Sequence, residues 1–403
     1  ADAPETTTAL SLTLDKSSDK LGVTDELKGK FYDYSTLAET WSSPRIFRMP
    51  NTDAPDDEPA DDIYVAVMGA GISTANEYIG SSVFVINLED TTHIGKVEKK
   101  IDIDNLEGDG IVSSTPATPT VVTADTGTTG IRFRGALVYQ PDYEGKITKI
   151  NLTNMKCDNG FLSGDCPEGR EEIKRFDKTI LFSAGTNNIN QRLMYHALDA
   201  TIGTTTSGLW LFNSTGDFSR INDRSTGVEN IMFGIRDKDF PNFRFIDGDP
   251  IEDIEDISDC VDTTDDETGE LCPDSTKKGW YIKLKDFAKG SAEPTVFAGR
   301  VYFPIYKPNE NDLCAIGNAY ICAVDDECGT NKSVNELGGD PDPALNTLKC
   351  KNVGKGILSR IIVFANKLFA NLSGNPAEEE DMISVNTGIL DAESVRDSWR
   401  ENY

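Results

Sequence analysis

His93 and His196 are the only imidazoles in this 403-residue chain, so histidine-based acid–base chemistry has two places to sit. His196 lies in LMYHALDA, beside aromatic and apolar residues, the setting of a packed side chain. His93 lies in a Thr-rich turn, where exposure is expected. No G-x-S-x-G elbow or C-x-x-C-H haem site accompanies them, and two histidines are too few for a multi-His zinc site. GAGIS at Gly69 lacks the third glycine and the helical continuation of a dinucleotide loop, so it reads as a tight turn. Among 68 acidic residues, the presence of carboxylate pairs says nothing specific about glycoside hydrolysis. The chemistry the acids do raise is hard-cation binding, since Ca²⁺ takes roughly six to eight oxygen ligands. DIDNLEGDG gathers Asp102, Asp104, Asn105, Glu107 and Asp109, although Leu106 interrupts the EF-hand order. Asp125 in TADTGTTG offers one carboxylate more, and CVDTTDDETGELC offers Asp262, Asp265, Asp266 and Glu267. Solvated turns are the alternative reading of each.

The eight cysteines are Cys157, Cys166, Cys260, Cys272, Cys314, Cys322, Cys328 and Cys350. Their even number, the lack of C-x-x-C and the Asp, Gly and Pro around them predict disulfides and an oxidising, secreted setting. Cys157 and Cys166 flank a Gly-rich turn and are expected to pair; so are Cys260 and Cys272. The other four allow three connectivities. The chain opens ADAPETTTALSL without an initiator Met, which is the expected start of a mature or clipped fragment.

The elements that must carry these residues are strands. Residues 1–35 are polar and read as an arm or linker, with a possible short helix in TDELKGKFYDY; residues 36–403 read as the folded domain. SPRIFRM, DIYVAVMGA, SSVFVINL, GALVYQP, KITKINL, TILFSAG, GLWLFNS, NIMFGIR, GWYIKL, TVFAGRVYFPIY, AYICAV, GILSRIIVF and KLFANLS are short β-branched or aromatic runs between Gly, Asp, Asn, Ser and Pro. Helical periodicity is confined to Glu171–Phe176 and Ala392–Arg400. GILSRIIVFANKLFANLSG carries Arg360 and Lys367 and breaks at Asn366, so it predicts two strands and no membrane span. The 12 Tyr, 18 Phe and 4 Trp can anchor a core. The fold class is all-β: sandwich, barrel or propeller. VFVINLEDTT, ITKINLTNMK and YICAVDDECG share one shape, apolar alternation running into Asn or Asp and a polar turn, and this favours a propeller.

A net charge of −29 and a pI near 4.4 repel phosphate and exclude nucleic acid as a partner. Two acidic inserts, PDDEPADD at 55–62 and the stretch from Asp247 to Glu270, with twelve acids and no Lys or Arg, read as solvated surface loops.

The order of motifs resembles the C-terminal domain of PilY-type proteins, type IV pilus tip-associated adhesins and biogenesis factors. TWSSPRIFRM, DIYVAVMGAGIS, SSVFVINLED, ALVYQPDYEGKITKINL, GLWLFNSTGDF, NDRSTGVENIMFGIRDK, GWYIKL, GRVYFPIYKPNENDLCAIGNAYICAVD and DSWREN follow one another over residues 38–403 in that family's order, and Asp142 and Gly145 keep one of its turns. The resemblance implies a modified, insert-rich β-propeller, exported and displayed on the surface of a Gram-negative-type bacterium at or near the pilus tip. It implies pilins or the tip complex as partners, with a surface or host receptor. Two departures stand out. Only four to five blade-like segments are present, so an incomplete ring would need further blades from an upstream chain. The family's D-x-D-x-D-G-x-x-D calcium loop is replaced by TADTGTTGIRFRG, leaving Ca²⁺ to the acidic turn at Asp102–Asp109.

Binding rather than catalysis is the expected activity, through loops 52–62, 155–170, 245–278 and 326–353. A quinoprotein-type propeller dehydrogenase would be expected to show a stacking Trp and adjacent cysteines. No Cys-Cys pair exists, and Trp41, Trp210, Trp280 and Trp399 are each explicable as core or terminus. A structural subunit of an extracellular filament is the other alternative.

Overall fold

The computed structural model describes residues 31–51, 61–73, 79–104, 112–123, 135–153, 173–185, 191–206, 208–245, 255–256, 277–312, 314–329, 350–364, 367–374 and 382–386. Every named element among them is a strand, and the strands form sheets of four or five that are antiparallel but for one two-residue edge pairing. The chain divides into two compact units, residues 1–181 with 241–248, and residues 182–240 with 249–403.

The first unit holds two sheets, each strung in sequence order. One joins β1 (Arg45–Met49), β2 (Ile63–Gly69), β3 (Ser82–Asn87) and β4 (Val97–Asp102); the other joins β5 (Thr120–Val122), β6 (Gly135–Pro141), β7 (Lys146–Thr153) and β8 (Lys178–Ser183). Alternation along the strands decides what meets. Phe47, Met49, Val65, Val67, Val83 and Val85 of the first sheet pack on Ala136, Val138, Ile150 and Leu152 of the second. Part of the segment read as an arm docks on the first sheet. Tyr34 lies 5.3 Å from the buried Phe84 ring and donates its hydroxyl to Gly95 O at 2.7 Å. Phe31 stacks on His93 at 4.0 Å, so His93 is half-buried rather than exposed, and it pairs with Asp90 at 3.4 Å.

The second unit holds three sheets. The first contains β9 (Asp199–Ile202), β10 (Leu209–Ser214), β11 (Ile231–Asp237), β12 (Glu255–Asp256) and β13 (Gly279–Lys283), in the order 12-13-11-10-9. The next contains β14 (Lys289–Gly290), β15 (Thr295–Phe297), β16 (Arg300–Lys307), β17 (Asn318–Asp325) and β18 (Cys350–Lys355). The last contains β19 (Ile357–Leu358), β20 (Ile362–Phe364), β21 (Lys367–Ser373) and β22 (Met382–Asn386). β16 serves two interfaces. Val301, Phe303 and Ile305 face Trp210, Phe212, Trp280 and Ile282, while Tyr302 points the other way, towards Leu358, Leu368, Ala370 and Leu372. Pro304 is tolerated inside this central strand because its outer edge is broken: β15 pairs with Arg300–Tyr302 and β14 with Ile305–Tyr306, leaving no ladder bond for a proline N–H to make.

The repeat seen in the sequence has a common cause. VFVIN, ITKINLT and NAYICAVD are β3, β7 and β17, each third in its sheet. At or near the end of each, a side-chain oxygen accepts backbone N–H groups just ahead. Asn87 Oδ1 takes Glu89 and Asp90, Asn151 Oδ1 takes Thr153, and Asp325 Oδ1 takes Glu327 and Cys328. Asp237, ending β11, does the same for Asp239.

Several expectations need correction. Residues 173–176 form a turn, not a helix, with Phe176 at φ +75°. TVFAGRVYFPIY is not one strand but a hairpin: Phe297 pairs with Arg300 across Ala298 and Gly299, both at positive φ. Trp41 is 68% exposed, whereas Trp210 and Trp280 are core, and Trp399 lies outside the described residues. The last four cysteines form one bond among themselves and not two. Cys322 and Cys350 are directly opposed on β17 and β18 and bonded, Cys314 is a free exposed thiol, and Cys328 is disulfide-bonded to a partner outside the described residues. Cys157, Cys166, Cys260 and Cys272 also lie outside them.

The β6–β7 turn buries charge completely. Asp142, Glu144 and Lys146 have no exposed surface; Lys146 Nζ pairs with Asp142 at 2.8 Å and with Glu144, which also accepts from Ser113 Oγ at 3.1 Å. Burial alone would drive the proton off Lys146, but the two carboxylates outweigh it and hold its pKa above the usual lysine value. Removing one partner strands the others. Lys146→Met is expected to cost about 3–5 kcal/mol in urea unfolding. Combining it with Asp142→Asn and Glu144→Gln should cost less than the single change. The Cys322–Cys350 bond spans 28 residues, and its loss through paired Cys→Ala changes should cost about 3–4 kcal/mol; reductant should lower the thermal midpoint of the wild-type chain.

Candidate functional site

A small, open concavity in the second unit is built around one lysine. Lys289, on the short edge strand β14, is 4% exposed and donates from Nζ to Arg220 O and Asp223 O, each at 3.1 Å. Gly216 makes this approach possible, since a Cβ there would lie 2.3 Å from Lys289 Cβ. The loop that receives the ammonium is organised by its own acids. Asp217 Oδ1 accepts Ser219 N at 3.0 Å and Ser219 Oγ at 2.6 Å, Asp217 Oδ2 accepts Arg220 Nε at 2.7 Å, and Asp223 Oδ1 accepts Ser225 Oγ at 2.8 Å. Although burial opposes it, these donors hold Asp217 below the usual carboxylate pKa. Burial pushes Lys289 below the usual lysine pKa, against the pull of Asp217 and Asp223.

Neighbouring segments fix the loop from outside. Tyr306 donates its hydroxyl to Asn222 Oδ1 at 2.6 Å, and Arg224 Nη1 donates to Asn309 O at 2.9 Å. The turn that delivers Lys289 has two successive non-glycine residues at positive φ, Asp286 at 53° and Phe287 at 62°. Each costs of the order of 1–3 kcal/mol. Lys307 pins this turn through Asp286 at 2.9 Å. Gln191, Asp217, Arg220, Asp223 and Ser225 line the concavity beside Lys289. The wall therefore offers both charges, an amide and a hydroxyl. Such a wall can recognise a polar ligand.

A second polar node lies in the same unit. The Glu327 carboxylate accepts the backbone N–H groups of Thr204, Thr205 and Thr206 at 2.6, 2.7 and 2.6 Å and the Thr204 and Thr206 hydroxyls at 3.0 and 2.5 Å. Despite burial, those donors keep Glu327 below its ordinary pKa. Its neighbour Asp326 has less help, from the backbone N–H groups of Glu327 and of Asp326 itself. Burial first, and then the charges of Asp325 and Glu327, push it up to about 6.

The residues proposed for Ca²⁺ are only partly described. Asp102 Oδ1 accepts Ser82 Oγ at 2.9 Å. Asp104 Oδ1 binds Lys178 Nζ at 2.7 Å, and the same ammonium reaches Asp102 O. Lys178 thus bridges one carboxylate oxygen of Asp104 and the carbonyl of Asp102. Asn105, Glu107, Asp109 and Asp125 lie outside the described residues, as do Asp262, Asp265, Asp266 and Glu267. Among the described residues no group of three or more His, Cys, Asp or Glu is placed to hold a metal. His196 fulfils its structural reading: Nε2 is closed off from solvent without a hydrogen-bond partner, the ring meets Phe218 edge-on at 5.2 Å, and burial lowers its pKa to about 4. Sequence reasoning assigned no role to Asp217, Arg220, Asp223 or Lys289. GLWLFNSTGDF and NDRSTG held the only signal, acids just past a strand and a Gly turn.

Asp326 supplies a pH test with a definite sign. Its folded pKa, near 6, lies above the ordinary carboxylate value, so the folded state holds the extra proton between about pH 4 and pH 6. Stability from this group therefore falls as pH rises through that window. Asp326→Asn is expected to raise stability at pH 7.5 by about 1–3 kcal/mol and to leave it nearly unchanged at pH 4, read from urea midpoints.

No family model and no curated protein matches the sequence. Solved structures do match the fold. The C-terminal domain of PilY1 from Pseudomonas aeruginosa is similar over 88% of this chain and 73% of its own, with a TM-score of 0.54 and 12% identity. BamB from Moraxella catarrhalis aligns over 80% of this chain with a TM-score of 0.23 and 10% identity. At such identities the likeness is one of fold: an all-β, propeller-like architecture of the kind seen in the PilY1 C-terminal domain.

Proposed function

We propose that this chain is an exported, pilus-associated surface protein that acts by binding, as a tip adhesin or pilus biogenesis factor. The observation that carries the reading is the fold shared with the PilY1 C-terminal domain over 88% of the chain. The ordered motifs from TWSSPRIFRM to DSWREN support it, as do the Cys322–Cys350 bond, which suits an oxidising compartment, and the strong negative charge. Pilins or a pilus tip complex are the partners this reading names on the assembly side, with a surface receptor on the other. The loop Asp217–Ser225 is the best-built recognition surface among the described residues. Its carboxylates, guanidinium and ammonium are held in place before any ligand arrives, which lowers the ordering cost of binding.

Electron microscopy of surface fibres with a gold-labelled antibody against this chain tests the proposal. One label per fibre end is the expected result. Labelling at a regular repeat along the shaft would make the chain a filament subunit instead, and label absent from the fibres would remove the pilus from the account.

A further inference from the structure

The concavity around Lys289 is lined by groups of two kinds. Gln191, Asp217, Arg220, Asp223 and Lys289 are polar, whereas Phe287 and Val228 are apolar. The formal charges cancel, Asp217 and Asp223 against Arg220 and Lys289. In a chain of net charge −29 that balance is an exception, and it bears on what can bind. A lone ammonium or carboxylate would meet both signs at this wall, its attraction to one offset by repulsion from the other. A hydroxyl both donates and accepts, so it can use both signs at once.

Hydrogen-bonding capacity remains on the wall. An ammonium carries three N–H groups, and Lys289 gives two of them to Arg220 O and Asp223 O, leaving one. Asp223 Oδ1 accepts Ser225 Oγ, but Oδ2 stands 3.8 Å from Arg220 Nη1, beyond hydrogen-bond length. Arg220 Nη2 reaches Gln191 Oε1 at 3.4 Å, so the amide of Gln191 keeps its own N–H groups as donors. Phe287 supplies the apolar part. It is half-buried, lines the concavity, and sits at φ +62° directly after Asp286 at +53°. Successive residues in that region persist only where their surroundings hold them, and Lys307 holds this turn through Asp286. An aromatic residue kept in this way beside convergent polar groups suits a ligand with one apolar face and hydroxyls at its edge.

We propose that the concavity binds a neutral pyranose of a surface glycan, its C–H face on Phe287 and neighbouring hydroxyls shared between Asp223 Oδ2 and Lys289 Nζ. This ligand class rests on the reading of the chain as a surface protein that acts by binding. Being small and open, the concavity takes one sugar ring rather than a length of glycan chain.

Saturation-transfer-difference NMR on the full chain tests this, with the methyl pyranosides of glucose, galactose, mannose and N-acetylglucosamine as probes. Acetate and methylammonium are the charged controls. At least one pyranoside is expected to bind, and to shift the Val228 methyl signals of the unmutated chain, a readout that needs no variant. Phe287→Gly removes the ring while tolerating positive φ, and Asp223→Asn removes the charge while keeping the shape. Each is expected to weaken pyranoside binding by about tenfold. The proposal is overturned if no pyranoside binds, if the Val228 methyls do not move, if both folded variants bind as the wild type does, or if either charged control binds more tightly than every pyranoside. A chain that takes no sugar yet labels fibre ends would strike the glycan alone. Sugar binding by a chain absent from the fibres would strike the pilus reading alone.

Discussion

Burial of strands on both faces is the constraint from which the other features of this protein follow. β6, β7, β10 and most of β11, β16 and β17 are closed on each side, so water cannot satisfy their backbone or side-chain polar groups. Polar side chains inside them need protein partners, as Lys149 and Asn151 of β7 have, and at strand ends local groups supply them. The Asn or Asp at or near the end of the third strand is the recurring solution, taking the next backbone N–H groups on its side-chain oxygen.

The same constraint explains the lysines. In a chain with 68 acids and 39 bases, polar oxygens at several turns are met by lysines of the chain itself. Lys146 serves Asp142 and Glu144, Lys178 serves Asp104, Lys289 serves the carbonyls of Arg220 and Asp223, and Lys307 serves Asp286 and Glu310. Lys149, fully buried, donates to Asn242 O at 2.7 Å with the Phe243 ring 5.9 Å away. A tethered ammonium does at these turns what a bound cation does in an acidic loop, and it is present at all times.

Such turns are also where recognition can be placed. The Asp217–Ser225 loop gains its shape from Gly216, from the strained Asp286–Phe287 turn and from Tyr306, not from a bound ligand. Rigid loops on a stapled β-scaffold suit a protein whose work is attachment, because little conformational freedom remains to be lost on contact.

The amino-acid sequence determined the all-β class, most central strands and the repeated third strand, because apolar alternation running into Asn or Asp is a local signal. It also determined that His196 is packed, from its apolar neighbours. The strands it failed to reveal, β4, β5, β9, β12, β14, β18 and β22, lie at sheet edges, where one open side lets Lys, Asp and Thr in and blurs the pattern. Tertiary structure alone decided that Trp41 is exposed, that Cys322 meets Cys350 while Cys314 stays free, and that Lys289 reaches Arg220 and Asp223 across more than sixty residues of sequence. Each of those outcomes depends on which strands become neighbours, and that is settled by the pairing of distant faces rather than by any stretch of residues read alone.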